Sequence, residues 1–410
     1  MRAFQSRDAR RLGLLFAVVY FAQGMVYLPE QVIAIVFKER GLSAGQLATF
    51  TWIITTPWFI KPVYGLLSDF VPLFGTRRRS YFLLTTALAS AAAFAVSLRP
   101  QAPYAWLAVV ITLLWLGVGF TDVLTDALMV ESGKPLGLTG TFQSVQWAAL
   151  GAASIVVGVG GGYLAEHRAL AAAFAVVACF PIASLLMAAL MVREPRSRLD
   201  VEELGETWGA VRHALGRRDL WQVAGFILFF FWSPSFGVAF FYYETDVLGF
   251  SQTFIGALGS LGAAAGVVGA VAYAPLSRRF SLRRLIVGLI GASAVGTLAY
   301  LLYRGPVSAV VITLAFGAVS MTTQLAFMDL AAKACPRRAE ATFFALLMSV
   351  SNLGMRSSEW VGANLYDRVG YTRLVLISAA CTAAAWLLVP MVPLDAIQAA
   401  AGEAETEPAA

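Results

Sequence analysis

Lys61, Asp122 and Asp126 are the residues that the chain has least reason to carry where it carries them. Each lies inside a long apolar run, and a charge in hydrocarbon costs at least about 2.5–3.5 kcal/mol on insertion scales, so each needs a partner or a task. Asp122 and Asp126 are four apart, which puts both carboxylates on one face of a helix. Two carboxylates so placed repel, and a shared proton relieves the repulsion, so they form a candidate proton site. Lys61 stands roughly 12 Å from Asp69 along its helix at 1.5 Å per residue, and Asp122 is at similar depth relative to Glu131, so the two can pair. Two readings stand: a substrate or coupling contact, and a permanent ion pair that joins two helices.

Further polar groups are candidates of the same kind. Glu30 follows Pro29 in the outer part of the first run, and Arg356 and Glu359, three apart, can neutralise one another. Gln143 and Gln146 can orient a heteroaromatic ring or bond neighbouring helices, and Trp147 and Tyr242 can stack on one. Asp69 and the triplet Arg77, Arg78 and Arg79 sit at the edge of the apolar runs. They lie too near the cytoplasmic surface for a binding site and read as topology signals.

The elements that must position these residues follow from composition. Of 410 residues, 59% are hydrophobic and 13% charged, with a mean hydropathy of +0.73, which excludes a water-facing surface of ordinary extent. Apolar segments of spanning length fall at 12–37, 46–68, 81–98, 104–130, 141–164, 169–192, 221–243, 252–276, 284–303, 307–332, 341–366 and 373–393. The fold class expected is therefore an all-α integral membrane protein with twelve transmembrane helices in two six-helix bundles. The expected division is 1–192 and 221–393 for the bundles, 193–220 for a cytoplasmic linker and 394–410 for a disordered cytoplasmic tail. In the linker Val201, Leu204, Trp208, Val211 and Leu215 recur at helical spacing and predict an amphipathic helix on the membrane surface.

Orientation follows from the thirty Lys and Arg residues. With the N-terminus inside, 21 fall on the cytoplasmic side and 7 outside, Lys61 and Arg356 lying within helices. Both termini are thus expected in the cytoplasm, in a bacterial inner membrane. The net charge of +6 is explained by this asymmetry and calls for no nucleic-acid partner. The partners expected are membrane lipid, a small-molecule substrate and a coupling ion, the proton. No cofactor is expected: there is no G-x-x-x-x-G-K-[ST] loop for ATP. His167 and His213 show no metal or nucleophile pattern, the three cysteines have no paired spacing, and no enzyme activity is expected.

A faint repeat relates the halves: Tyr64–Asp69 (YGLLSD) matches Tyr273–Arg278 (YAPLSR), and Thr141-Phe142 with Glu166 is spaced like Thr342-Phe343 with Asp367. Two six-helix halves, a charged central loop and the G-x-x-x-D…R-R-R element resemble the major facilitator superfamily. Within it, PWFIKPVYGLLSD with LFGTRRRSY (57–81), DVLTDALMVE (122–131), FYYETDVLGFSQTFIG (241–256) and CPRRAEATFFALLMSVSNLG (335–354) resemble the folate-biopterin transporter family. The resemblance implies a secondary transporter moving folate- or pterin-like anions by alternating access. It also implies that the loop after Asp69 latches the cytoplasmic side, with Asp69 facing the N-terminal end of the eleventh helix. The Asp-x3-Asp helix and basic loop are similar to the muropeptide permease family as well, which leaves another small solute as the alternative; a receptor or scaffold that transports nothing is a third reading.

Overall fold

A computed structural model describes residues 7–194, 196, 209, 212, 216–335 and 340–406, and every regular element among them of three residues or more is helical. In chain order these are α1 (Arg7–Met25), α2 (Glu30–Glu39), α3 (Ala44–Thr55), α4 (Lys61–Phe70), α5 (Arg79–Leu98), α6 (Tyr104–Leu136), α7 (Thr139–Glu166) and α8 (Leu170–Met191). There follow α9 (Arg218–Trp232), α10 (Gly237–Tyr242), α11 (Gln252–Arg279), α12 (Leu282–Ala299), α13 (Pro306–Ala334), α14 (Glu340–Val369), α15 (Tyr371–Ala384) and α16 (Leu394–Thr406). Each of the twelve apolar segments falls largely on helix, and among the described residues ten helical stretches are long and apolar enough to cross a membrane.

Several spans expected as continuous are interrupted, and the interruptions have chemical causes. The first pauses at residues 26–29 before Pro29, which lacks an N–H. The second changes to a 3-10 turn over Thr56–Ile60, where Pro57 and Pro62 each remove a backbone donor. The seventh breaks after Trp232 at Ser233 and Pro234, then ends in a π-helical turn, Tyr243–Val247. In hydrocarbon the backbone groups freed at such a break need other partners. Ser235 N–H donates to Ser358 O (3.3 Å), Ser358 Oγ donates to Ser233 O, and Ser233 Oγ reaches Ser378 O (3.0 Å) and Thr382 Oγ1 (2.9 Å). The amphipathic helix expected near 201–215 lies largely outside the described residues.

The chain forms two compact units. One comprises Met1–Leu42, Thr49–Leu204 and Phe250–Ser260; the other comprises Ser43–Ala48, Gly205–Gly249 and Leu261–Ala410. The core of the first is built from Leu15, Phe16, Tyr64, Phe82, Phe120 and Phe142, with Tyr64 stacked on Phe120 at 4.7 Å and Phe16 edge-on to Phe142 at 5.0 Å. The core of the second centres on Phe226, Phe230, Phe327 and Phe343, with Phe230 stacked on Phe327 at 4.3 Å. Leu394 and Ile397 are buried in this same core, and Gln398 Oε1 accepts from Leu282 N–H (2.9 Å). Residues 394–406 are accordingly helix rather than the disordered tail expected, because the first turn has an apolar face that polar composition further along concealed.

Between helices, small residues permit close approach. A Cβ on Gly117 of α6 would lie 2.9 Å from Ala89 Cβ of α5, whereas one on Gly225 of α9 would meet nothing within 4 Å. Gly117→Leu should therefore destabilise the protein by about 1–3 kcal/mol through overpacking, while Gly225→Ala should be neutral. Thermal unfolding of the detergent-purified variants reads the difference, and equal melting temperatures for the two would contradict it.

Candidate functional site

The 3-10 turn sets Lys61 at the start of α4, and its ammonium turns inward to Asp122 of α6. Nζ lies 2.5 Å from Asp122 Oδ2, and the two side chains are only 14% and 5% exposed. Trp58, one turn earlier, places its ring 4.7 Å from the same ammonium, a cation–π contact that partly replaces lost water. The turn is itself tied down: Tyr64 Oη donates to Pro57 O (3.0 Å), Thr55 Oγ1 to Thr51 O (2.7 Å) and Thr56 Oγ1 to Trp52 O (3.2 Å). These bonds use carbonyls near the break and hold Lys61 in one orientation.

One turn beyond Asp122, Asp126 has different company. Tyr20 of α1 donates its hydroxyl to Oδ1, and Gln146 of α7 donates Nε2–H to the same oxygen at 3.2 Å. Both donors converge on Oδ1, and Oδ2 receives none among the described residues. Three helices, α1, α4 and α7, thus send a polar side chain to one face of α6. Beside them stands an aromatic row, with Tyr27 4.9 Å from Trp115 and Trp115 6.1 Å from Trp58. Trp58 Nε1 is buried and has no acceptor among the described residues.

The sequence-predicted residues divide clearly. Lys61, Asp122, Asp126 and Gln146 come together. Gln143 and Trp147, on the same helix as Gln146, are instead exposed at the surface of the unit. Glu30 opens α2, its N–H bonded to Tyr27 O at 3.0 Å. Arg356 and Tyr242 belong to the other unit, where Arg356 Nη1 lies 2.9 Å from Glu359 Oε2 and Tyr242 is buried on α10. Sequence reasoning passed over Tyr20 and Trp58. Trp58 was recoverable, since it stands three residues before Lys61; Tyr20, 106 residues from its partner, left no local signal.

The residues expected to form the cytoplasmic gate make a second cluster. Arg78 is buried, and its guanidinium meets Asp69 at 2.5 Å, Glu131 at 2.6 Å and Ser68 Oγ at 2.8 Å. Asp69 is thus engaged by the arginine triplet itself. Glu194, which sequence reasoning did not single out, accepts the backbone N–H groups of Arg77 (3.0 Å), Arg78 (2.9 Å) and Arg79 (3.1 Å). A carboxylate there satisfies donors that the first turn of α5 leaves unbonded and complements the helix dipole. Arg79 is exposed and donates to Ala189 O (3.0 Å). The three arginines are therefore not equivalent: Arg78→Ala should strand Asp69 and lower thermal stability markedly, whereas Arg79→Ala should change it little.

The Lys61–Asp122 pair makes a sharper prediction. Lys61→Met leaves a buried carboxylate uncompensated and should destabilise the protein by about 3–5 kcal/mol, while adding Asp122→Asn should recover most of the loss. A double variant no more stable than Lys61→Met alone would show that the two charges are not energetically coupled.

The profile of the BT1 family matches residues 21–408. A folate-biopterin transporter of Synechocystis is 33% identical over 378 residues, covering 86% of this chain and 74% of that protein. Folate transporter 2 of Plasmodium falciparum is 24% identical, covering 82% and 76%. Among solved structures, that of a D-xylose-proton symporter superposes with a TM-score of 0.72 at 15% identity, over 94% of this chain and 97% of the other. At such identity the likeness concerns the fold, which is the major facilitator fold. With the family matched along nearly its whole length, the chain belongs to the BT1 family of folate-biopterin transporters and is a multi-pass membrane transporter rather than an enzyme.

Proposed function

We propose that the protein moves folate- or pterin-like organic anions across the membrane by alternating access, coupled to protons, and that the Lys61–Asp122–Asp126 cluster is the centre of its binding site. The observation that carries this reading is a buried cluster of two carboxylates and one cation beside an aromatic row. The names of the Synechocystis and Plasmodium relatives support the substrate class. A pterin ring offers an amino group and a ring N–H side by side, which one carboxylate oxygen pair accepts together. Asp122 serves the ring in this scheme, Trp115 and Trp58 provide flat faces, and the Trp58 N–H meets a ring acceptor. The glutamate tail of a folate requires a cation, supplied by Lys61.

Charge count supports the coupling ion. Lys61 neutralises one carboxylate, and a proton on Asp126 Oδ2, the oxygen without a donor, neutralises the other. A substrate anion that draws Lys61 away from Asp122 leaves that carboxylate in need of a proton, which links substrate and proton occupancy. The Arg78 cluster acts as the latch at the cytoplasmic end, and the asymmetry of Lys and Arg supports both termini in the cytoplasm of a bacterial inner membrane.

The test is uptake of radiolabelled folic acid and biopterin into proteoliposomes. Loss of a charge-assisted contact of about 1.5–3 kcal/mol predicts uptake reduced roughly tenfold or more in Lys61→Ala and in Asp122→Ala. Asp126→Asn should also flatten the dependence of uptake on external pH. Uptake unchanged in both alanine variants would sink the site, and wild-type protein that takes up neither compound would sink the substrate class.

A further inference from the structure

The segment FYYETDVLGF carries a carboxylate, Glu244, that the site above does not use. It lies in the π-helical turn Tyr243–Val247, in the second unit, and is 4% exposed. A π-helical turn inserts a residue into the helical ladder and re-aims the side chains on it, an irregularity frequent at functional sites.

The surroundings are tyrosines. Tyr300 and Tyr303 follow α12, and Tyr371 begins α15, where its ring stacks on Tyr243 at 3.6 Å and 2°. Two of their hydroxyls are committed elsewhere, Tyr243 Oη to Tyr303 O (3.1 Å) and Tyr371 Oη to Tyr300 O (3.0 Å). Among the described residues Tyr303 Oη alone is bonded to the carboxyl, donating to Glu244 Oε1 at 2.5 Å. Among the described residues Glu244 has no ion pair and Oε2 has no donor. The neighbouring charges do not compensate it: Asp246 on the same turn is exposed and of like sign, and Arg304 is exposed and donates to Leu301 O (3.3 Å).

An ionised carboxylate offers about four acceptor sites, and here one is used. Left charged in this enclosure it lacks both a cation and enough donors, which is the arrangement a buried carboxylate avoids by taking up a proton. The neutral acid fits: Tyr303 donates to Oε1, and the acid proton sits on Oε2.

We propose that Glu244 is a second proton-binding site, held as the neutral acid in the enclosed arrangement and emptied when the Tyr243–Tyr371 stack separates and water reaches Oε2. In that step the Oε2–H bond breaks and the proton passes to water, while Tyr303 keeps its own proton and stays a donor to the carboxylate. The proposal rests on the proton-coupled reading above and places a coupling carboxyl in each unit, Asp126 in one and Glu244 in the other.

Infrared difference spectroscopy of the purified protein tests the site without any substrate. A protonated-carboxyl band that shifts in D2O and titrates with pH should be present in wild type, survive Asp126→Asn, vanish in Glu244→Gln, and move in frequency in Tyr303→Phe. In proteoliposomes, accumulation of radiolabelled folic acid driven by a proton gradient should be lost in Glu244→Gln, with exchange at equal pH still measurable. Three results would overturn the proposal: wild-type and Glu244→Gln spectra that agree in this region, a Glu244 band that neither titrates nor exchanges, or gradient-driven accumulation retained in Glu244→Gln. Wild-type protein that fails to transport folic acid defeats the substrate assignment instead, and the band still decides Glu244.

Discussion

A lysine and an aspartate in an apolar interior each need a compensating charge, and much of the first unit is arranged so that, at rest, each finds the other. The pair is tolerable because Lys61 enters from a helix start rather than from mid-helix, where the preceding 3-10 turn lets its ammonium meet both Asp122 and the Trp58 ring. The turn in turn exists because Pro57 and Pro62 withdraw two backbone donors, and Tyr64, Thr55 and Thr56 occupy carbonyls around it. Asp126 adds a second carboxylate one turn away, bonded from α1 and α7. Electrostatics in low dielectric makes each of these contacts worth more than in water and each omission more damaging.

The same rule, that polar groups in hydrocarbon must be satisfied, governs the irregular places. The break at Ser233–Phe236 is filled by hydroxyls and carbonyls of α14 and α15. Glu194 takes the orphan N–H groups at the start of α5, and Arg78 gathers Asp69, Glu131 and Ser68. The matched segments YGLLSD and YAPLSR solve the problem differently. Tyr64 gives its hydroxyl to Pro57 O, whereas Tyr273 gives its own to Asp329, which also holds Lys333 at 2.7 Å. Where the first segment has Asp69, the second has Arg278.

Much of this was legible in the sequence, for a definable reason. Apolar runs of spanning length and the uneven placing of Lys and Arg are properties of single segments against a layered solvent, so helices and their order could be read without knowing any contact. Charged residues inside such runs announced themselves by their cost, which is why Lys61, Asp122, Asp126 and Arg356 stood out. Residues whose type is ordinary in a membrane helix did not. Tyr20, Trp58 and Glu244 look like any tyrosine, tryptophan or span-end glutamate until their neighbours are known, and Trp147, chosen on type, turned out to be exposed.

What the sequence by itself determined is depth: at 1.5 Å per residue along a helix of known direction, Lys61 and Asp122 had to lie at similar levels. What only the tertiary structure decided is azimuth, the direction in which each side chain leaves its helix and which helix it meets. Azimuth depends on where a helix breaks and on how small residues such as Gly117 let neighbours approach. Those choices brought Tyr20 to Asp126 and enclosed Glu244 among tyrosines drawn from three parts of the chain.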